Sequence, residues 1–272
     1  MMRALWTAAS GMVSQQTNVD VISNNLANVN TVGYKKETAQ FKSLLYQTIQ
    51  SKTTSANGET KPVGAQVGLG VRNSAITASF ELGSIQPTDL NTDFAIDGKG
   101  FFQVMNENGE TLYTRSGSFN WSLGNNGGVM LCNSEGLPVL DTFGQAIELD
   151  PDYKKSKIVI DADGNVCYPD ENNNPQPIGV QIGLVQFANP AGLEKASDST
   201  FKETEASGVP IMEVDDESVQ KSEIKQGCLE MSNVKVVDEM VNLIVAQRAY
   251  EMNSKAITTA DDMLQQANQL KR

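Results

Sequence analysis

Histidine is absent from this 272-residue chain, so carboxylates and cysteines carry most of the chemistry that its side chains could perform. Without histidine the chain lacks the commonest general base and the commonest zinc ligand. Its cysteines, Cys132, Cys167 and Cys228, lie far apart and form no CxxC pair of the kind that holds zinc. The sequence therefore predicts no histidine-based nucleophile and no zinc centre, and it assigns the cysteines no role.

Two short motifs resemble ligand-binding loops but lack essential positions. Residues 161–165 (DADGN) begin like a calcium loop, yet the glycine arrives too early and the last ligand position holds no glutamate. Residues 98–100 (GKG) begin like a dinucleotide-binding run, but Gln103 replaces the third glycine. Turn chemistry favours a tight hairpin at both places. We expect neither a metal nor a cofactor.

An acidic run at residues 213–217 (EVDDE) could hold a metal ion or contact a partner. Such runs are most often solvated loops, and the sequence favours this interpretation. The strongest enzymatic alternative is a cell-wall glycosidase, because a pair of carboxylates can hydrolyse sugars without histidine. No spacing nominates a particular pair, so we predict no catalytic residue.

The N-terminal segment has the pattern of a helix that pairs with another helix. Two sets of residues recur every seven positions and form a heptad seam: Leu5, Met12, Val19 and Leu26, then Ala8, Gln15, Ile22 and Val29. The only charges in residues 1–32 are Arg3 and Asp20, so ion pairs do not solvate the other faces. Gly33 can end the helix in the left-handed conformation, and we predict a helix over residues 1–33.

Asparagines are concentrated in the second half of this segment, although asparagine is a poor former of helix interiors. They are Asn18, Asn24, Asn25, Asn28 and Asn30. Either the helix frays there, or these side chains bond to neighbouring chains and fix the register between them.

The C-terminal segment, residues 227–272, contains neither glycine nor proline after Gly227 and is predicted to be a long helix capped by Ser232 or Asn233. Its seam repeats every seven residues at Val236, Leu243, Tyr250, Ile257 and Leu264, with Ala246, Ala260 and Ala267 at the companion positions. We predict that the two terminal helices pair as a coiled coil.

Between the helices the pattern changes twice. Residues 34–92 are predicted to be an extended arm and connector, because Ser, Thr and Gly dominate its middle. Residues 93–226 alternate apolar and polar side chains between turn signals such as Asn108-Gly109 and Asp163-Gly164. The predicted fold is α+β: long N- and C-terminal helices pairing as a coiled coil, an extended arm and a central antiparallel β domain.

The charge and the helical ends together indicate what the chain contacts. A net charge of −12 disfavours nucleic acid, and no apolar run is long enough to insert into a membrane or to act as a conventional signal peptide. One helix pair leaves much uncharged surface in water, so we expect the ends to be largely disordered in the free chain and to fold on lateral association. This predicts a self-assembling structural protein, with a coiled-coil adhesin as the other non-enzymatic alternative.

Two end motifs resemble those of the bacterial flagellar rod and hook axial proteins. They are residues 21–36 (VISNNLANVNTVGYKK) at the first end, with residues 231–241 (MSNVKVVDEMV) and 247–256 (QRAYEMNSKA) at the other. Residues 44–49 (LLYQTI), 97–102 (DGKGFF) and 189–193 (NPAGL) extend the likeness over most of the chain and favour the distal-rod branch of that family. Proximal rod and hook subunits are the alternatives within the family.

This resemblance implies a helical polymer that transmits motor torque, with no enzymatic activity. Its implied partners are further copies of the chain, other flagellar rod proteins, hook subunits, the surrounding envelope rings and the flagellar type III export apparatus. The implied location is the basal body in the periplasm, reached without a cleaved signal peptide. The motifs and the heptads together nominate an assembly interface at Leu5, Met12, Val19, Ile22, Asn24, Asn25, Leu26, Asn28, Val29, Gly33 and Tyr34, and at Val236, Leu243, Ala246, Tyr250, Ile257 and Leu264.

Overall fold

The structure, a computed structural model, forms two compact units along one chain. It describes residues 2–50, 64–124, 127–151, 153–170, 174–197, 199–214 and 219–270. The first, here called the helical unit, comprises Met1–Ala27, Glu37–Ala78 and Lys235–Arg272. The second, here called the β unit, comprises Asn28–Lys36 and Ser79–Val234.

The described residues form two long helices and a series of short strands, which confirms the α+β class. The helices are α1 (Met2–Ala27) and α2 (Val236–Gln269). The strands are β1 (Glu37–Ser43), β2 (Tyr46–Gln50), β3 (Ala65–Gly68), β4 (Val71–Ala78), β5 (Ile85–Pro87), β6 (Phe94–Asp97), β7 (Phe101–Met105), β8 (Thr111–Thr114), β9 (Asn120–Leu123), β10 (Val129–Cys132), β11 (Glu148–Leu149), β12 (Val159–Ile160), β13 (Asn165–Pro169), β14 (Pro175–Gln181), β15 (Leu184–Gln186), β16 (Glu194–Lys195), β17 (Thr200–Lys202), β18 (Ile211–Met212), β19 (Glu223–Gln226) and β20 (Cys228–Glu230).

Both helices are shorter than the sequence predicted. Helix α1 ends at Ala27, and the following asparagines form a turn instead of another helical turn, as their low helix propensity favours. Gly33 does adopt the left-handed conformation, with φ of +68°, but it lies in a separate turn beyond the helix. A Cβ atom at Gly33 would lie 2.5 Å from the backbone nitrogen of Ser116, so this position also requires close backbone approach.

Helix α2 begins at Val236, nine residues beyond Gly227, and neither predicted capping residue caps it. Lys235 occupies the N-cap position without a side-chain capping bond. The side chain of Asn233 instead accepts a hydrogen bond from the backbone N–H of Lys36 at 2.7 Å. The hydroxyl of Ser232 accepts one from Val234 N–H at 3.3 Å. Both candidate caps therefore serve the chain segment before the helix.

The middle of the predicted arm, Glu37–Ala78, is an antiparallel ribbon where the structure describes it, whereas the two ends of the predicted arm belong to the β unit. Strand β1 pairs with β4, and β2 pairs with β3. Helix α1 contacts β1 and β4, and most ribbon side chains are exposed. A Cβ at Gly68 would lie 3.3 Å from the ring of Tyr46, its cross-strand partner, so the ring covers the glycine. Residues 51–63, between β2 and β3, lie outside the described part.

Every pairing described in the β unit is antiparallel, as predicted for residues 93–226. The largest sheet has the order β16-β17-β8-β7-β15-β18, and smaller sheets have the orders β11-β10-β9, β12-β13-β14, β19-β6 and β20-β5. Apolar cores cover both faces of β7. Phe102 and Val104 belong to the larger core, whereas Phe101 packs on the other face with Phe187 and Phe201. Strand β7 is therefore buried along most of its length, although its successive side chains point to opposite faces of the sheet.

The two turn predictions had opposite outcomes. Residues 161–165 form the predicted hairpin, because β12 pairs with β13 and Gly164 has a φ of +84°. The hairpin predicted at residues 98–100 is wrong, since β6 and β7 belong to different sheets. A Cβ at Gly100 would lie 2.5 Å from a carboxylate oxygen of Glu213, so the glycine permits close packing on a buried acid.

A buried carboxylate joins two buried cations in the β unit. Glu230 is 0% exposed, and its Oε1 lies 2.5 Å from Nζ of Lys35. Its Oε2 lies 3.2 Å from Nε of Arg115. Burial lowers the pKa of both cations, and the facing Glu230 carboxylate opposes that shift. Charges this deep require partners, so the cluster fixes the segments that carry them.

The acidic run does not begin in solvent, which corrects the prediction of a solvated loop. Glu213 is 3% exposed and accepts hydrogen bonds from Ser222 N–H at 2.7 Å and from Gln186 at 2.8 Å. The hydroxyl of Ser222 accepts in turn from Gly100 N–H at 3.0 Å. Residues 215–217 of the run lie outside the described part. Glu213 therefore anchors a buried network rather than a surface patch.

We expect Glu230→Ala to destabilise the β unit by about 3–5 kcal/mol, because Lys35 and Arg115 would stay buried without their carboxylate. The measurement is urea unfolding of the full chain followed by the fluorescence of Trp121, with Trp6 replaced by Phe throughout. The control is Glu110→Ala, which breaks an exposed 2.9 Å pair with Lys202 and should cost at most about 1 kcal/mol. Equal losses in the two variants would contradict the role of the buried cluster.

Candidate assembly surface

The two helices of the helical unit contact each other through small side chains. Ala8 on α1 and Ala246 and Ala260 on α2 are all less than 8% exposed. A Cβ at Gly11 would lie 2.9 Å from the amide nitrogen of Asn253, so glycine is needed for this approach. Small residues at a helix contact allow the backbones to lie close together. The finer claim, that the ends pair as a coiled coil, stays a prediction.

Asn25 connects three segments of the helical unit. It is 0% exposed, and its side-chain oxygen accepts a hydrogen bond from Glu37 N–H at 2.9 Å. Its side-chain nitrogen donates to the carbonyl of Glu37 at 2.8 Å and to Oε2 of Glu239 at 3.1 Å. Glu239, in the first turn of α2, is itself 1% exposed. One amide thus joins the end of α1, the start of β1 and the start of α2.

The residues nominated at the N-terminal end fall into two groups. In the helical unit, Ile22 and Asn25 are buried, Asn24 is exposed, and the remaining members are half-buried: Leu5, Met12, Val19 and Leu26. The other nominated residues belong to the β unit, where Gly33 and Tyr34 are buried and Asn28 and Val29 are half-buried. The hypothesis that Asn25 bonds to neighbouring chains is not supported, because its side chain bonds within its own chain.

The ring of Tyr34 lies 5.0 Å from Nζ of Lys195, at the distance of a cation–π contact within the β unit. Gly33 N–H donates to the carbonyl of Glu230 at 2.8 Å. Both nominated residues therefore contribute to the fold of the β unit, whatever contacts they make in an assembly.

On α2 the nominated seam is buried unevenly. Ala246 is 1% exposed, and Leu243, Ile257 and Leu264 are half-buried. Val236 and Tyr250 are 39% and 42% exposed. The buried side of α2 therefore centres on the small companion residues, and the large seam residues lie at its margins.

The structure exposes a second set of large apolar side chains that the sequence analysis did not nominate. On α1 they are Trp6 and Val13, and on α2 they are Val237, Met240, Val241, Ile244, Val245 and Met252. The ribbon adds Leu45, Tyr46 and Ile49. Residues 240–245 (MVNLIV) could have indicated these exposed side chains from the sequence, because their apolar band is wider than one helical seam can bury.

A group of exposed large apolar side chains marks an interaction surface. Helix α1 adds little charge to this surface, since Arg3 and Asp20 are its only ionisable residues. The arrangement suits lateral packing against another largely uncharged surface.

Neither metal chemistry nor a membrane span is indicated in the described ranges. No group of three or more Cys, Asp or Glu residues there could hold a metal ion. No described helix combines the length and the apolar character needed to cross a membrane.

Three protein-family models match the chain at separate places. Residues 5–35 match a model described as flagella basal body rod protein, and residues 225–270 match flagellar basal body rod FlgEFG protein C-terminal. Residues 95–168 match flagellar hook protein FlgE/F/G D1 domain. The matches thus cover both helical ends and part of the β unit.

Similar proteins extend the likeness over the whole chain. A flagellar basal-body rod protein FlgG of Borreliella burgdorferi is 47% identical over 274 residues, covering 100% of both chains. A protein of the same description from Bacillus subtilis is 39% identical, again over 100% of both. A Bacillus subtilis flagellar hook-basal body complex protein FlhP is 33% identical over 97% of each chain.

Proposed function

Because the chain belongs to the flagellar basal-body rod protein family, we propose that many copies of it polymerise helically into the distal rod, which carries motor torque to the hook. It is a structural protein of the flagellar basal body and not an enzyme. The partners within this proposal are further copies of the chain, other rod proteins, hook subunits and the surrounding envelope rings.

The observation that carries the polymerisation proposal is the exposed apolar face of α2. Val241, Ile244 and Val245 are 54%, 55% and 63% exposed, although they flank the buried contact at Ala246. Burying such side chains contributes about 1.5–3 kcal/mol each, so a helical neighbour that covers them gains substantial association energy. In a single copy these side chains stay exposed to water, so this association energy is not gained.

The nominated residues have two roles in this proposal. The half-buried members at the margins of the helix contact, such as Leu243 and Leu264, become fully covered by neighbouring copies. The buried members, such as Asn25 and Ala246, hold α1 and α2 in the arrangement that presents the exposed face. Coiled-coil pairing of the two ends is part of the proposal.

The proposal also includes a location and a route. The rod crosses the cell envelope through the periplasm, and the chain reaches it through the flagellar type III export apparatus. The family resemblance of both end motifs supports this part. Proximal rod and hook subunits stay the alternatives inside the family, and labelling this chain in purified basal bodies for electron microscopy separates the three positions.

We expect Ile244→Asp to prevent rod formation, because an unpaired carboxylate would enter a surface that a neighbour must cover. The matched control is Asn242→Asp, which places the same charge on an adjacent exposed position of α2. The measurement is the fraction of purified basal bodies that carry complete rods in electron micrographs. Normal rods with Ile244→Asp would contradict the assigned surface.

We expect Asn25→Ala to weaken polymerisation without changing the β unit. The loss of its buried hydrogen bonds costs about 1–3 kcal/mol, which corresponds to roughly 5- to 150-fold in the chain concentration needed to polymerise. Light scattering of the purified chain measures that concentration. Ser23→Ala, an exposed change on α1, should leave it unaltered. The positioning role fails if both variants polymerise at the same concentration.

We expect the backbone amides of α1 and α2 to exchange rapidly in the dilute free chain and to become protected in rods, because isolated helices with uncovered apolar faces are marginal in water. Hydrogen exchange followed by mass spectrometry measures this. The amides of β7 should be protected in both states and serve as the internal control. Protected helices in the dilute chain would refute folding on assembly.

A further inference from the structure

The helical unit carries a knob and a groove that one copy cannot bring together. The knob is Trp6, whose side chain is 75% exposed on α1. The groove lies where α1 and α2 meet and is lined by Gln16, Val19, Gln247, Tyr250 and Glu251. We propose that Trp6 of one copy inserts into this groove of a second copy in the rod. This inference rests on the proposed function, because it needs many copies side by side.

The positions of the two features on α1 exclude an internal contact. Trp6 and Val19 are thirteen residues apart, which separates them by roughly 20 Å along the helix and by roughly 140° around it. The knob and the groove therefore point in different directions from the same helix. Each needs a partner surface from outside its own copy.

The groove fits an indole ring in size and in polarity. Its volume of about 510 Å³ is within the range of sites that hold small ring-containing molecules. Val19 and Tyr250 supply an apolar wall and an aromatic edge for the ring. Gln16, Gln247 and Glu251 supply oxygens that can accept the indole N–H. Glu251 also accepts from Arg248 at 2.8 Å, an exposed contact that leaves its second oxygen available.

A contact between Trp6 of one copy and the groove of another has the geometry that builds a helical polymer. A knob that fits a different site on an identical copy forms a head-to-tail contact, which repeats without closing unless the rotation forms a ring. A helical polymer needs a contact of this type. Tryptophan is moreover one of the side chains enriched among the few that dominate interface energies.

Photo-cross-linking in assembled rods tests the contact directly. The variant Trp6→p-benzoylphenylalanine is expressed in place of the natural chain, and basal bodies are purified and irradiated. We expect a covalent dimer on a denaturing gel, at twice the 29.4 kDa chain mass, with position 6 joined to residues 16–19 or 247–251. A link inside one copy would leave the mass unchanged. The control, Val13→p-benzoylphenylalanine, probes another exposed α1 position and should form no dimer linked to the groove of a second copy.

A second probe covers the case in which replacing Trp6 prevents incorporation. Gln247→p-benzoylphenylalanine keeps the knob and should form a dimer linked near position 6. Dimers linked elsewhere, links to a different protein, or no dimer in basal bodies with intact rods would overturn the knob-and-groove contact while leaving the rod function standing. Absence of this chain from the rods would overturn the proposed function and the contact with it.

The energetic importance of the knob is tested by truncation. We expect Trp6→Ala to raise the polymerisation concentration of the purified chain by about 10- to 100-fold, as for a central interface tryptophan. Trp6→Phe keeps a ring but removes the N–H donor, so its effect should be smaller than that of Trp6→Ala. An unchanged concentration for Trp6→Ala would overturn the contact.

Discussion

The ion cluster of Glu230, Lys35 and Arg115 is the constraint on which the β unit depends. One carboxylate faces two buried cations, and Arg115 also donates to the carbonyls of Gly98 and Gly100. Lys35 in turn donates to the carbonyl of Glu81 at 2.8 Å. Segments that are distant in sequence must therefore be in place together before any of these charges is satisfied. The cluster thereby selects which segments of the β unit lie together.

Helix α2 divides its apolar residues in an unusual way. Small side chains such as Ala246 and Ala260 occupy the buried contact, and large ones such as Ile244 and Met252 face outward. An ordinary surface helix buries its large residues and exposes polar ones. Under the proposed polymerisation, close backbone approach inside one copy leaves the larger side chains for contacts between copies.

The features that could be predicted from the sequence were those with a local period. The heptads located both helices, and alternation located β8 at residues 111–114. The start of α2 could not be predicted, because the candidate cap Asn233 accepts from Lys36 N–H instead, a contact that leaves no mark in the neighbouring sequence. Burial of Glu213 was missed for the same reason, since its partners Gln186 and Ser222 come from other segments. The pairing of β1 with β4 likewise joins the two ends of the ribbon, which are distant in sequence.

Two segments of the β unit are bonded to each other, the one that ends at Lys36 and the one that ends at Val234. Gly33 N–H donates to the carbonyl of Glu230 at 2.8 Å, and Lys36 N–H donates to Asn233 at 2.7 Å. Because these two segments bond to each other, displacing either of them breaks hydrogen bonds that also hold the other in the β unit.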